Sequence, residues 1–231
     1  MKCKILFLIV LYSSIAFASR PLKSDDAFTL GRNLFQLELA YEIAPGIGTS
    51  LPVSSAYGIW DNTDILLNVS LNNSSNSSLM AFECIDIEAK QYLTSVLDFS
   101  ISTKFGLSSV IEKSSITSPM LSIMLISSLN INSFNVHFNC GYASNKNEDK
   151  FSDLWFGSVA CEYFLNDQIT IGTDFGISRN PSLYFSSPTG YALLGVSYKI
   201  FDSVSMDTGL NITFNEKSKF DMFTTGLTII L

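Results

Sequence analysis

Beyond residue 18 the chain alternates apolar and polar positions with a period of two, and no helical periodicity competes with that pattern. Phe35, Leu37, Leu39, Tyr41 and Ile43 are interleaved with Gln36, Glu38, Ala40 and Glu42. Leu97, Phe99, Ile101, Thr103 and Phe105 are interleaved with Asp98, Ser100, Ser102 and Lys104. The same rhythm returns at Phe134–Tyr142, Ile169–Ile177 and Val204–Ile212. Successive side chains of a strand point to opposite faces, so each segment has one apolar face and one polar or small face. About twelve such segments are predicted, near 33–43, 51–60, 63–71, 83–92, 95–107, 119–130, 133–143, 152–164, 168–177, 189–201, 203–214 and 221–231.

A soluble sandwich would alternate in the same way, with its apolar faces inside. Two features favour a membrane barrel instead. The segments run to about 9–12 residues, the length of a tilted membrane-crossing strand and longer than an ordinary soluble strand. The connections also fall into two classes. Short turns are expected at Asp61-Asn62, near Leu93-Thr94, at Ile131-Asn132, at Asn166-Asp167 and at Asp202. Longer ones are expected near 44–50, 72–82, 108–118, 144–151, 178–188 and 215–220. Strict alternation of short and long gathers all tight turns at one mouth of an up-and-down barrel. Lipid offers backbone groups no hydrogen-bond partner, so such a sheet has to close on itself. The expected fold is therefore all-β, an up-and-down antiparallel transmembrane β-barrel of about twelve strands.

Composition agrees with a membrane protein: 47% of the 231 residues are hydrophobic and only 15% are charged. The start of the chain, MKCKILFLIVLYSSIAFA, has a basic end at Lys2 and Lys4, an apolar core and an Ala16-Phe17-Ala18 cleavage signal. It reads as a signal peptide over residues 1–18, too short in its apolar part to anchor the protein. The expected organisation is a leader at 1–18, an N-terminal periplasmic or plug segment at 19–32, and the barrel from 33 to 231. Loss of Lys2 and Lys4 takes the formal charge from −7 to −9, which argues against nucleic-acid binding. Cys84, Cys140 and Cys161 form no CxxC pair and read as small apolar residues on strands.

The N-terminal block RPLKSDDAFTLGRNLFQLELAYE (Arg20–Glu42) resembles the start of the mature region in the outer-membrane family associated with the MetA pathway of phenol degradation. The likeness is carried by Arg20-Pro21-Leu22, Asp25-Asp26-Ala27, Thr29, Gly31, Phe35-Gln36-Leu37-Glu38 and Tyr41-Glu42. Leu51–Leu71 is similar to that family's second hairpin, and Asp86–Tyr92 and Ser187–Phe201 to later strands. The chain departs from the pattern at Ile85, where a glycine is expected, and at its last residue, Leu231, where outer-membrane barrels usually end in an aromatic. The resemblance implies a barrel that passes small, often aromatic, compounds.

Candidate functional residues are those that the alternation turns toward a lumen: Glu38, Asp64, Asp86, Glu88, Lys90, Asp98, Lys104, His137, Asp174, Lys199 and Asp207. Acids outnumber bases among them, which would favour neutral or cationic solutes. His137 is the only histidine, and no nucleotide loop, metal cluster or catalytic motif accompanies it, so neither catalysis nor a cofactor is expected. The expected function is a narrow passive channel for small solutes, embedded in outer-membrane lipid by the barrel-assembly machinery. The rival readings are a surface interaction barrel with a closed lumen and, further off, a membrane lipase.

Overall fold

The computed structural model describes residues 21–74, 81–112, 115–116, 119–147, 150–179, 189–214 and 219–231. The expected signal peptide lies outside the described residues. The strands are β1 (Phe35–Ala44), β2 (Gly48–Trp60), β3 (Thr63–Ser74), β4 (Ala81–Val96), β5 (Phe99–Glu112), the two-residue β6 (Ser115–Ile116), β7 (Met120–Ile131), β8 (Phe134–Asn147), β9 (Lys150–Phe164), β10 (Ile169–Arg179), β11 (Thr189–Phe201), β12 (Val204–Phe214) and β13 (Lys219–Ile230). β6 only extends β5 at its far end. The other twelve form one closed antiparallel barrel, each strand paired with its neighbours in sequence and β1 paired with β13. The seam is complete to the last residue: Leu231 N–H donates to Phe35 O at 2.8 Å, and Phe35 N–H donates back at 2.9 Å.

The alternation follows from this closure. Leu125, Phe175, Leu194 and Leu210 are about half exposed on the outer wall, while Ser102, Ser128, Asp174 and Asn211 are wholly buried inside. Outward hydroxyls do not break the apolar belt, because they bond to neighbouring strands: Thr103 Oγ1 donates to Met124 O at 3.1 Å, and Thr225 Oγ1 to Asp207 O at 3.0 Å. Satisfied in this way, they can face hydrocarbon at little cost.

Three expectations about connections need correction. The turn placed near Leu93-Thr94 is at Leu97-Asp98, because β4 runs on through an irregularity between Tyr92 and Thr94. Leu97 takes the left-handed region (φ 56) and is 95% exposed, a turn position that a leucine gives no hint of. The stretch 44–50 is a tight turn at Pro45–Ile47, closed by Ile47 N–H to Ala44 O at 3.0 Å, with Gly46 at φ 80. Within the stretch 144–151, residues 144–147 and 150–151 are strand, with Asn147 opposite Lys150. Strict alternation of short and long connections therefore does not hold. A polar ladder can continue past the bilayer into water, so polarity alone does not end a strand.

Candidate functional site

The lumen holds the chain's own N-terminal segment, residues 21–34, which precedes β1 and contributes no strand. It enters beside β11 and β12 and runs around the inside of the wall to β2. Its first contacts depend on bare backbone. Gly172, Gly195 and Gly209 are register partners on β10, β11 and β12, so they form a row of three across the wall. A Cβ added to Gly195 would lie 2.0 Å from Pro21 Cγ, and one on Gly172 would lie 2.8 Å from Leu22 Cδ2. The glycines thus leave a trough that Pro21 and Leu22 fill, and Leu22 also packs with Ala160 and Leu193.

The next residues are held by polar groups of the wall. The Asp174 carboxylate accepts the backbone N–H groups of Lys23 and Ser24 at 2.7 and 2.6 Å, and the Ser24 hydroxyl at 2.9 Å. Tyr191 donates to the same carboxylate at 3.0 Å. Buried carboxylates require such donors, and those bonds are the strong, charge-assisted kind. Asn139 grips Asp25 from both sides, accepting its N–H at 2.7 Å and donating to its carbonyl at 2.8 Å. Ala27 is wholly buried; its N–H donates to Ser128 Oγ at 2.8 Å, and Ser102 Oγ donates to its carbonyl. Leu30 N–H reaches Asp64 at 3.0 Å. At the exit, Asn33 N–H donates to Gly58 O and Gly58 N–H to Leu34 O.

Two lysines of the wall neutralise the segment's paired aspartates. Lys104 lies 2.5 Å from Asp25 and 3.1 Å from Glu88. Lys90 lies 3.3 Å from Asp26 and 3.8 Å from Asp25. Burial alone would push the Asp25 carboxyl up, but Lys104 and Lys90 outweigh it and hold the group down at about 2.

Most of the predicted lumen residues do face inward. Glu38, Asp86 and Glu88 line a cavity, Asp64 and Lys90 touch both cavity and segment, and Asp174 and Lys104 are anchors of the segment. Asp207 is buried on β12. Lys199 sits at the short-turn end of β11, 3.1 Å from Asp202. Asp98 is the exception: it is exposed in the Leu97-Asp98 turn, because the longer β4 shifts it off the strand. Cys140 and Cys161 are free thiols on β8 and β9, and Cys84 Sγ on β4 donates to Asp86 Oδ1 at 3.2 Å.

His137 is buried on β8 in a chain with two partners that sequence reading did not place beside it. Its Nδ1 is 2.8 Å from Ser128 Oγ, and its Nε2 is 3.2 Å from Glu162 Oε2. Ser128 already accepts the Ala27 N–H, so satisfying every group gives its hydroxyl hydrogen to Nδ1 and the imidazole N–H to Glu162. The serine is wholly buried beneath Ala27, so the chain acts as a support for the segment rather than as an exposed nucleophile.

The segment docks on β3 to β12 and leaves a cavity of about 430 Å³ against the β1–β4 wall. That cavity extends from Gln36 and Lys90 near the short-turn end to Glu42 and Ser70 toward the other mouth. Seven carboxylates line it (Asp25, Asp26, Glu38, Glu42, Asp64, Asp86 and Glu88) against three lysines, Lys23, Lys90 and Lys104. Phe28, Leu30, Leu66 and Met222 supply an apolar stretch beside them.

The whole barrel superposes on solved outer-membrane barrels. It matches the NanC porin with a TM-score of 0.67 at 7% identity, over 84% of this chain and 98% of that one. The chain has the fold of porin barrels. The KdgM porin matches with a TM-score of 0.62 at 13% identity, over 84% and 98% of the two chains. A loop-deleted OmpT, an outer-membrane protein of Vibrio cholerae, matches with a TM-score of 0.50 at 10% identity, over 86% and 98%. No protein-family model matches the sequence, and no curated protein matches it significantly.

The anchors Ser24, Ser102, Ser128, Asn139, Ser158 and Tyr191 were not singled out from sequence. A signal for them exists in hindsight: glycine recurs at the same inward level on three neighbouring strands, which leaves room for something other than the wall's own side chains.

Proposed function

We propose that the protein is an outer-membrane channel for small solutes, with the N-terminal segment narrowing its lumen to a passage along the β1–β4 wall. The observation that carries this reading is the elongated cavity beside the segment, inside a barrel whose outer wall is apolar. The porin fold supports it, and so does the closed sheet, which in lipid leaves no unpaired edge. The surrounding partners on this reading are outer-membrane lipid and the barrel-assembly machinery.

Charge narrows the class of solute. Seven carboxylates against three lysines give the passage a negative potential, which attracts cations and repels anions. One of the matched structures is the KdgM porin in complex with oligogalacturonate, a polyanion that this lining would oppose. The apolar stretch of Phe28, Leu30, Leu66 and Met222 supports solutes with a hydrophobic or aromatic part, as the resemblance of the N-terminal block implies. The proposed solutes are therefore small, neutral or cationic, and partly apolar.

Reversal potentials in planar bilayers under a salt gradient test this. The native barrel is expected to prefer potassium over chloride, and Glu42→Gln with Asp86→Asn to lose most of that preference. A barrel that prefers chloride, or that carries no current, would overturn the reading.

A further inference from the structure

We infer that the N-terminal segment is a reversible strap, and that the wall beneath it is a binding site for a peptide of the pattern Pro-Leu-Lys-Ser-Asp-Asp. The inference rests on the channel reading for its consequence, which is that strap release widens the passage.

Three observations support release without damage to the barrel. First, the strap adds nothing to the barrel ladder. Residues 21–32 are held by side chains of the wall and by packing, and the barrel closes without them. Second, the main anchors have partners of their own on the wall. Asp174 keeps Tyr191 at 3.0 Å, Lys104 keeps Glu88 at 3.1 Å, and Ser128 keeps His137 at 2.8 Å. Undocking therefore exposes polar groups that stay partly paired and that water can satisfy, together with two small apolar patches, Ala160 with Leu193 and Met124 with Ile126. Third, the strap ends in a hinge. Gly31 (φ 93) and Asn33 (φ 66) both lie in the left-handed region, directly before the two-bond clamp of Asn33 and Leu34 on Gly58. A Cβ on Gly58 would lie 1.8 Å from Gly31 O, so the hinge is seated on bare backbone that only glycine provides.

The trough and its anchors also define what the site recognises. The glycine row accepts a proline and a leucine, Asp174 takes two consecutive backbone N–H groups, and Lys104 and Lys90 take two consecutive carboxylates. A free peptide with this sequence would meet the same contacts.

The test uses the full chain with Cys3, Cys84, Cys140 and Cys161 replaced by alanine. Ser24→Cys and Ser158→Cys put two thiols where the hydroxyls are 2.7 Å apart. In the reduced barrel, a membrane-impermeant maleimide is expected to label the Ser24→Cys single variant in native conditions. Labelling of Ser102→Cys, the wholly buried wall position, should also rise as the strap leaves. Oxidising the double variant should hold the conductance at one low level, and reduction should add steps to a higher one. Excess peptide of residues 20–30 should suppress those steps when the strap's own docking is weakened on the strap side by Asp25→Asn, which leaves the wall intact. No labelling of Ser24→Cys without denaturant would overturn the inference. Labelling with no current in any state would sink the channel reading and leave the strap standing. A peptide without effect on either readout would overturn the peptide site.

Discussion

Asp174 is the point at which the docking of the segment can be tested by a single atom change. Replacing it with asparagine keeps the shape and removes the charge. The carboxylate is wholly buried and accepts two backbone N–H bonds at 2.7 and 2.6 Å, the Ser24 hydroxyl at 2.9 Å and the Tyr191 hydroxyl at 3.0 Å. Hydrogen bonds to a charged group contribute about 1.5–3 kcal/mol each, against about 1 kcal/mol for neutral ones. An asparagine oriented with its carbonyl toward Lys23 and Ser24 keeps both backbone bonds in neutral form, and the two hydroxyls can turn to accept from its NH₂. Relief of the buried charge offsets part of the loss. The net cost to docking is then about 1–3 kcal/mol, or roughly 5- to 150-fold in the docked-to-undocked ratio. The Lys23–Ser24 peptide bond reports this directly, since its own N–H is one of the two held by Asp174. Trypsin should cut there slowly in the native barrel and faster by that factor in Asp174→Asn, because cleavage follows the open population. The shortened chain is read by mass spectrometry while the barrel stays heat-modifiable on gels. An unchanged or slower cut would refute the reasoning, since it would mean that the buried charge costs the docked state as much as its bonds return.

Gly195→Ala is expected to expel Pro21, because the new Cβ would lie 2.0 Å from Pro21 Cγ and 3.0 Å from Thr208 O. Overpacking of this kind costs about 1–3 kcal/mol, and the same tryptic cut should accelerate. Acid should release the segment as well. The Asp25 carboxyl titrates at about 2 when docked and nearer 3.8 when free, so its contribution is complete above pH 3.8 and is lost as pH falls from there toward 2. Pepsin, which is active across that window, should cut the segment faster as pH falls through it, and a flat profile would show that the Lys104 pair does not hold the segment. Asp98→Asn should leave ion selectivity unchanged, because Asp98 is exposed in a turn away from the passage, whereas Glu38→Gln should lower it.

The alternation of residues was enough to place nearly every inward and outward position, because a closed sheet has only two faces and water and lipid divide them. Glu88, Lys104, His137 and Asp174 all fall where their parity puts them. The ends of the strands were less legible. Leu97 carries no turn signal yet takes the left-handed position of the Leu97-Asp98 turn, and the polar residues 144–147 and 150–151 continue as ladder, since both depend on pairing with a neighbouring strand rather than on local preference.

Residues 19–32 could be set apart from the barrel by sequence, as a periplasmic or plug segment, but not placed. The position of residues 21–32 comes from contacts that join residues more than a hundred positions apart, such as Ser24 with Asp174 and Asp25 with Asn139. Ser128 and Glu162 likewise meet His137 only because β7 and β9 flank β8. A period of two records which solvent each face meets. It carries nothing about what fills the space the closed wall surrounds, and that is decided when twelve strands bring the glycine row and its polar anchors to one level.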